Sequence, residues 1–313
     1  MLSALTDNPL GLGYDGLAAV YLEADLAEKA QEMLHKALAR NPSHGLAYLL
    51  QGDIFYTQSK KDKSLKAYQI AAQEPALLPW QHAAAQTALG VYYSLQDVPA
   101  KARAAFRQAI AHYPAYYQAY SNLGYLAWKA HQEAEASRWF AEAEARNPTD
   151  EVVQYYRSLL NEAVMTDRAS CSSHSPCLLL LPLPLVGGNL RQLGTGEILT
   201  GLVAQALRQQ GRCTVLEGRG LEPALQGSAI GLAGHTEAKV ALNVGKPLGA
   251  DLVIYGRHWH YTNVLMLDVW AIRVKTLEMV LPGVHIRIEA GDKLHAAAQA
   301  LAGKLSSLVT GAP

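Results

Sequence analysis

Along the first half of the chain, apolar positions recur at helical spacing, and small residues recur in phase with them. Pro42, Pro114 and Pro148 each close a long helical stretch. Placing these prolines at position 32 of a 34-residue unit sets unit starts at Gly11, Gly45, Ala83 and Tyr117, which are 34, 38 and 34 residues apart. The four extra residues fall in Glu74–Trp80, where Pro75 and Pro79 mark a longer turn. Position 8 is small in every unit (Ala18, Gly52, Gly90, Gly124), as are position 20 (Ala30, Ser64, Ala102, Ala136) and position 27 (Ala37, Ala71, Ala109, Ala143). Position 24 is large: Leu34, Tyr68, Phe106 and Phe140. Small residues let two antiparallel helices approach closely, a large one fills the space beside them, and a proline ends the second helix. The pattern predicts four helix–turn–helix units over 11–44, 45–82, 83–116 and 117–150. A further helical run, Asp150–Val164, reads as the closing helix that a repeat stack needs.

The pattern then changes. Residues 165–177, MTDRASCSSHSPC, are polar, Ser-rich and without period, as in a linker. Beyond it the spacing predicts a strand in LLLLPLPL from Leu178, its prolines implying an edge or bulge. A helix is expected over about 195–210, a strand over Cys213–Glu217 and a helix over about 236–246. Strands follow at Asp251–Trp259, Val264–Val274 and Val284–Ile288, and a last helix at about 292–309. The order β-α-β-α-β-β-β-α predicts a mixed sheet backed by helices in two or three layers.

The 34-residue pattern resembles the tetratricopeptide repeat (TPR) family over about residues 11–148, giving a first domain of 11–164 with the closing helix. The resemblance implies an all-α superhelix whose first helices line a concave surface through repeat positions 2, 5, 9, 12 and 13. The candidate partner-binding groove is therefore Leu49, Asp53, Tyr56, Val91, Leu95, Tyr125, Trp128 and Lys129, with Thr57 also facing inward. TPRs that clamp a terminal carboxylate use several cations and Asn residues at such positions. Here only Lys129 and Asn122, one position off that face, come close. A mostly apolar and aromatic groove suits a helical or extended, apolar or amphipathic segment of a protein partner. Tyr56, Tyr125 and Trp128 are the expected anchors. The alternative for each is packing against the next repeat or against the second domain.

The second half resembles the CsgG-type domain of the curli secretion component and related envelope lipoproteins. The resemblance rests on Gly211–Gly234 and Ala238–Trp259, and on WAIRVKTLEMV, Trp270–Val280, with Leu277 where the family usually has Gly. LEGR, Leu216–Arg219, departs from the family's strand motif by the inserted Gly218, and Pro247 interrupts its GKxLGAD-like stretch. The match covers about 178–308 and sets a second domain of 178–310. It implies an α/β core that docks to another envelope component or to copies of itself. The pore-forming members carry long membrane-crossing strands, but here only a hairpin separates Trp259 from Val264.

Composition and charge narrow the reading. Lys plus Arg and Asp plus Glu are both 27, so the net charge is zero, which argues against a nucleic-acid binder. The longest apolar run, Cys177–Val186, is short and holds two prolines, so no membrane-spanning segment is expected. The opening MLSALTDNPL lacks a basic n-region and points to the cytoplasm, whereas the CsgG resemblance implies the cell envelope. Of the 16 Tyr, 14 precede the linker, so the Tyr excess belongs to the repeats.

Signals for chemistry are weak. Gly194-Thr195-Gly196 ahead of a helix imitates a dinucleotide fingerprint, but residue 199, where the third Gly should fall, is Leu199. Helix capping explains these glycines better. Cys171, His174 and Cys177 lack a fourth metal ligand and a folded frame, and a disulfide between the two cysteines needs an oxidising compartment. His258 and His260 share a strand face and are expected at a surface or interface. The chain therefore reads as a non-enzymatic adaptor with no cofactor or metal. The competing class is a nucleotide- or cofactor-binding enzyme built on the α/β half.

Overall fold

The computed structural model describes residues 12–24, 26–161, 175–211, 213–217, 221, 238–260, 264–289 and 294–310. They separate into two compact units. The first holds the described residues up to Asn161 together with Gly187–Leu193 and His260; the second holds the remainder of the described residues.

The first unit is helical. Four hairpins follow one another: α1 (Leu12–Glu23) with α2 (Ala27–Arg40), α3 (Gly45–Thr57) with α4 (Lys61–Gln73), α5 (Pro79–Leu95) with α6 (Pro99–His112), and α7 (Tyr117–Lys129) with α8 (Glu133–Glu144). The closing helix is α9 (Glu151–Asn161). The small residue at position 8 has a direct cause. A Cβ on Gly52 would lie 2.5 Å from the Tyr68 ring, one on Gly90 2.5 Å from Phe106, and one on Gly124 2.9 Å from Phe140. Each aromatic ring thus lies flush on a glycine of the partner helix. The first repeat pairs Ala18 with the smaller Leu34, both fully buried.

The turns inside the hairpins share one construction. The N–H groups of Lys60, Val98 and Gln132 donate to the carbonyls of Phe55, Tyr93 and Ala127 at 2.8, 2.9 and 2.9 Å. This is the 6→1 bond of a Schellman cap, which needs a left-handed residue just before it. Ser59, Asp97 and His131 fill that place with φ of 59°, 57° and 57°. None is a glycine, so each carries backbone strain.

The second unit is a mixed α/β fold on a six-stranded sheet, with α10 (Thr195–Gln209), α11 (Ala238–Gly245) and α12 (Leu294–Thr310) as its helices. Its strands are β1 (Cys177–Leu180), β2 (Leu185–Gly188), β3 (Thr214–Leu216), β4 (Leu252–His260), β5 (Val264–Arg273) and β6 (Met279–Glu289). The sheet order is β3-β1-β4-β5-β6, with β2 also paired to β4. β1 runs parallel to β3 (Leu178↔Val215) and to β4 (Leu179↔Val253). β5 and β6 are antiparallel, from Val264↔Glu289 to Ile272↔Met279.

Two expectations shift. The apolar run at Leu178 forms two strands, because Pro182 and Pro184 offer no N–H to a ladder. β6 starts at Met279 rather than Val284, since an irregularity on either side of Ala271 absorbs Pro182's later counterpart, Pro282. Alternation along β1 divides the core. Leu178 and Leu180 pack with Leu199, Leu207, Leu301 and Leu305 of α10 and α12, whereas Leu179 and Leu181 pack with Ala241 and Val244 of α11. Helices therefore cover both faces, giving three layers. Among the described residues, no helix is long and apolar enough to cross a membrane.

Two predictions follow from the hairpins. Gly90→Ala is expected to cost about 1–3 kcal/mol by overpacking on Phe106. Adding Phe106→Leu, which recreates the Ala18–Leu34 pairing, should recover most of that loss in a urea double-mutant cycle. Ser59→Gly should raise stability by about 0.5–1 kcal/mol, seen as a higher Tm, by removing left-handed strain from a side chain.

Candidate functional site

The inner helix of the second repeat places Asp53 and Thr57 one turn apart on α3, and the fourth repeat places Asn122 on α7. All three meet the short segment Gly188–Leu193, which belongs to the same compact unit as the repeats. The segment leaves β2 and turns sharply, with the Arg191 N–H donating to the Asn189 carbonyl at 2.8 Å.

Asp53 reads one side chain. Its carboxylate accepts from Arg191 Nη1 at 3.2 Å and Nη2 at 3.0 Å, from the Tyr68 hydroxyl at 2.7 Å and from the Leu190 N–H at 3.4 Å. The Asp53 and Arg191 side chains are only 2% and 15% exposed, so the pair is dry. Burial pushes the Asp53 carboxyl above the usual carboxylate range, while Arg191, Tyr68 and the Leu190 N–H pull the other way. Burial and the adjacent carboxylate also hold the Tyr68 hydroxyl well above its ordinary value, so it stays a donor.

Asn122 reads backbone. Its amide Nδ2 donates to the Arg191 carbonyl at 2.9 Å, and its Oδ1 accepts from the Leu193 N–H at 2.8 Å. These two bonds leave the identity of Gln192 unread. Thr57 Oγ1 accepts from the Gly188 N–H at 3.2 Å and donates to the Asp53 carbonyl at 3.0 Å. Gln192 Nε2 donates to Asp150 Oδ1 at 3.0 Å, an oxygen that also accepts from the Val153 N–H at the start of α9. Leu190 and Leu193 are buried on either side of Arg191. The segment thus presents Leu-Arg-Gln-Leu, with polar and apolar groups both engaged.

The sequence-derived groove residues distribute as follows. Asp53 lies on the segment. Leu49 and Val91 are buried, and Tyr56 is buried with its ring edge-on to Tyr92 at 6.1 Å. Tyr125 and Trp128 come together against Tyr156 of α9, at 6.0 and 4.9 Å between ring centres, and Tyr156 stacks on Phe140 at 5.0 Å. Leu95 is half-buried and Lys129 exposed. Asn122, placed one position off the inner face by sequence, shares the segment with Asp53 and is fully buried. Arg191 was missed altogether. Its signal was indirect: an acidic residue at an inner position among apolar neighbours needs a cation from elsewhere.

The remaining motifs have structural roles. Gly194 is the left-handed N-cap of α10 with φ +87°, and a Cβ on Gly196 would collide with the Leu183 carbonyl, so capping accounts for the first glycine and close packing for the second. His258 is buried rather than at a surface, with Nδ1 2.8 Å from the Leu183 carbonyl oxygen. Cys171 and His174 lie outside the described residues. Cys177 is buried in β1, and its N–H donates to Asp251. Among the described residues, no three His, Cys, Asp or Glu side chains converge as metal ligands do.

Removing one half of a buried ion pair strands the other charge. Asp53→Ala and Arg191→Ala are each expected to cost about 3–5 kcal/mol. The double variant should cost clearly less than their sum, as measured by denaturant unfolding followed through the helical signal.

A family model described as tetratricopeptide repeat matches residues 16–78 and 82–151. Among solved structures, the chain is similar to PilF of Pseudomonas aeruginosa (22% identity, 48% of this chain and 67% of that one, TM-score 0.44). It is also similar to YrrB, described as a TPR protein with an unusual peptide-binding site (17% identity, 50% of this chain and 80% of that one, TM-score 0.39). A third similarity is to the C-terminal domain of LpoB from Salmonella enterica (19% identity, 42% of this chain and 90% of that one, TM-score 0.29). No curated protein matches the chain. The N-terminal region of this protein is built of tetratricopeptide repeats.

Proposed function

We propose that the protein is a non-enzymatic adaptor whose repeats receive a short amphipathic segment of a protein partner. The observation that carries this reading is the Asn122 side chain. It satisfies a carbonyl and an N–H two residues apart on a non-helical segment, independently of the side chain between them. Buried Leu49 and Val91 on the same inner helices suit the apolar side chains of such a segment. Tyr56, Tyr125 and Trp128, packed on Tyr92 and Tyr156, form the wall behind this face, with Leu95 and Lys129 at the rim.

The α/β region, in this reading, is a CsgG-like domain that docks to another component of a bacterial envelope or secretion assembly, or to copies of itself. Two features support it. Helices cover both faces of its mixed sheet. Leu277, where the resembled family usually has Gly, stands in the left-handed region with φ 60°. A tight turn of that kind is the reason for a glycine there.

The adaptor reading is tested by selecting a random displayed-peptide library on the full-length chain. A consensus peptide should be enriched, and its affinity should fall at least tenfold for Asn122→Ala. Failure to enrich any peptide, or equal binding to Asn122→Ala, would exclude the inner face as the receptor surface.

A further inference from the structure

Resting on that adaptor reading, we infer that the inner face selects segments of the form Leu-Arg-x-Leu, and that the chain's own Leu190–Leu193 is a resident ligand which such a partner segment displaces. The selection for arginine comes from Asp53. A carboxylate that dry needs a cation, and a planar guanidinium can meet both of its oxygens at once, as Arg191 does at 3.2 and 3.0 Å. A lysine offers one point charge and cannot make this fork. The Tyr68 hydroxyl and the Leu190 N–H also donate to this carboxylate, both at Oδ1. The two leucines flank the arginine at buried positions, and Asn122 fixes the chain direction between them. Asn122 does not read Gln192, but Gln192 is itself buried and donates to Asp150 Oδ1 at 3.0 Å, so x favours a side chain that can donate to that oxygen, as glutamine does.

Displacement is feasible because the contacts to Thr57, Asp53 and Asn122 are ones that an incoming segment of the same chemistry can reproduce. Its recognition uses backbone atoms, one guanidinium, the Gln192 amide and two leucines, with no covalent tie to α3 or α7. The cost to a competitor is set by tethering. A segment held in the same chain acts at an effective concentration of ~1 mM, so a resident with an intrinsic Kd of ~10 μM makes any competing partner bind about a hundredfold more weakly.

The probe is a fluorescein-labelled peptide of sequence GGNLRQLG, with a second peptide in which the arginine corresponding to Arg191 is alanine. Two measurements use the full-length chain. In the wild type, excess peptide should accelerate amide exchange at Leu190 and Leu193, whose N–H groups are held by Asp53 and Asn122. By fluorescence anisotropy, Arg191→Ala protein should bind the arginine peptide at least tenfold more tightly than wild type, and the alanine peptide at least tenfold more weakly than the arginine one. Unchanged exchange at Leu190 and Leu193 under saturating peptide overturns the inference, and this arm stands even if the Arg191→Ala chain does not fold. A dimeric wild type that becomes monomeric as peptide is added also overturns it, in favour of segment exchange between copies. Peptides that bind in an Asn122-dependent way without releasing the resident segment leave the adaptor reading intact and defeat this one alone.

Discussion

The close approach of two helices within each repeat is the constraint on which the rest of the first unit depends. It is set where the ring of Tyr68, Phe106 or Phe140 lies on Gly52, Gly90 or Gly124. No side chain larger than hydrogen fits beneath an aromatic ring at that separation, and an alanine is accommodated only where the opposing residue shrinks to Leu34. Because three successive hairpins close by the same contact and turn through the same 6→1 bond, they repeat almost identically. Their inner helices then fall in register. That register brings Asp53 of the second repeat and Asn122 of the fourth to one six-residue stretch of chain, Gly188–Leu193.

Within this regular frame, the second repeat is the exception that makes the site. Its position 9 is the acidic Asp53, where the other repeats have Ala19, Val91 and Tyr125, and its position 24 is Tyr68, where the next two have Phe106 and Phe140. The two departures are one feature, since the Tyr68 hydroxyl donates to Asp53 at 2.7 Å. A buried ion pair seldom adds net stability over a well-packed apolar pair, because both charges lose water. What it supplies is discrimination: the wrong side chain opposite Asp53 leaves a dry carboxylate unpaired, and that is costly. The pair therefore reads more naturally as a recognition element than as a fastening.

The second unit obeys a different rule. Alternation along β1 sends Leu178 and Leu180 to one helical layer and Cys177 and Leu179 to the other, so a continuous apolar run is compatible with a strand covered on both faces. The prolines at 182 and 184 then divide that run, and β2 resumes beside the far end of β4. The same chemistry places Pro282 in β6, the terminal strand of the sheet order, where a missing N–H is tolerated.

The sequence by itself determined the repeat number, the phase of the helices, the closing helix and nearly every strand of the mixed sheet, because these follow from local spacing: period 3.6 or 2, and small residues opposite large ones. It also located Asp53 on the inner face. Tertiary structure decided what that face holds. Trp128 and Tyr125 have the composition of binding anchors, yet their ring contacts run to Tyr156, a partner about thirty residues away that no periodicity reveals. Arg191 lies 138 residues from Asp53 in a stretch with neither helical nor strand pattern. Pairing across such a separation is fixed by the packing of whole elements and by the need to neutralise a buried charge, and neither leaves a local trace in the order of the residues.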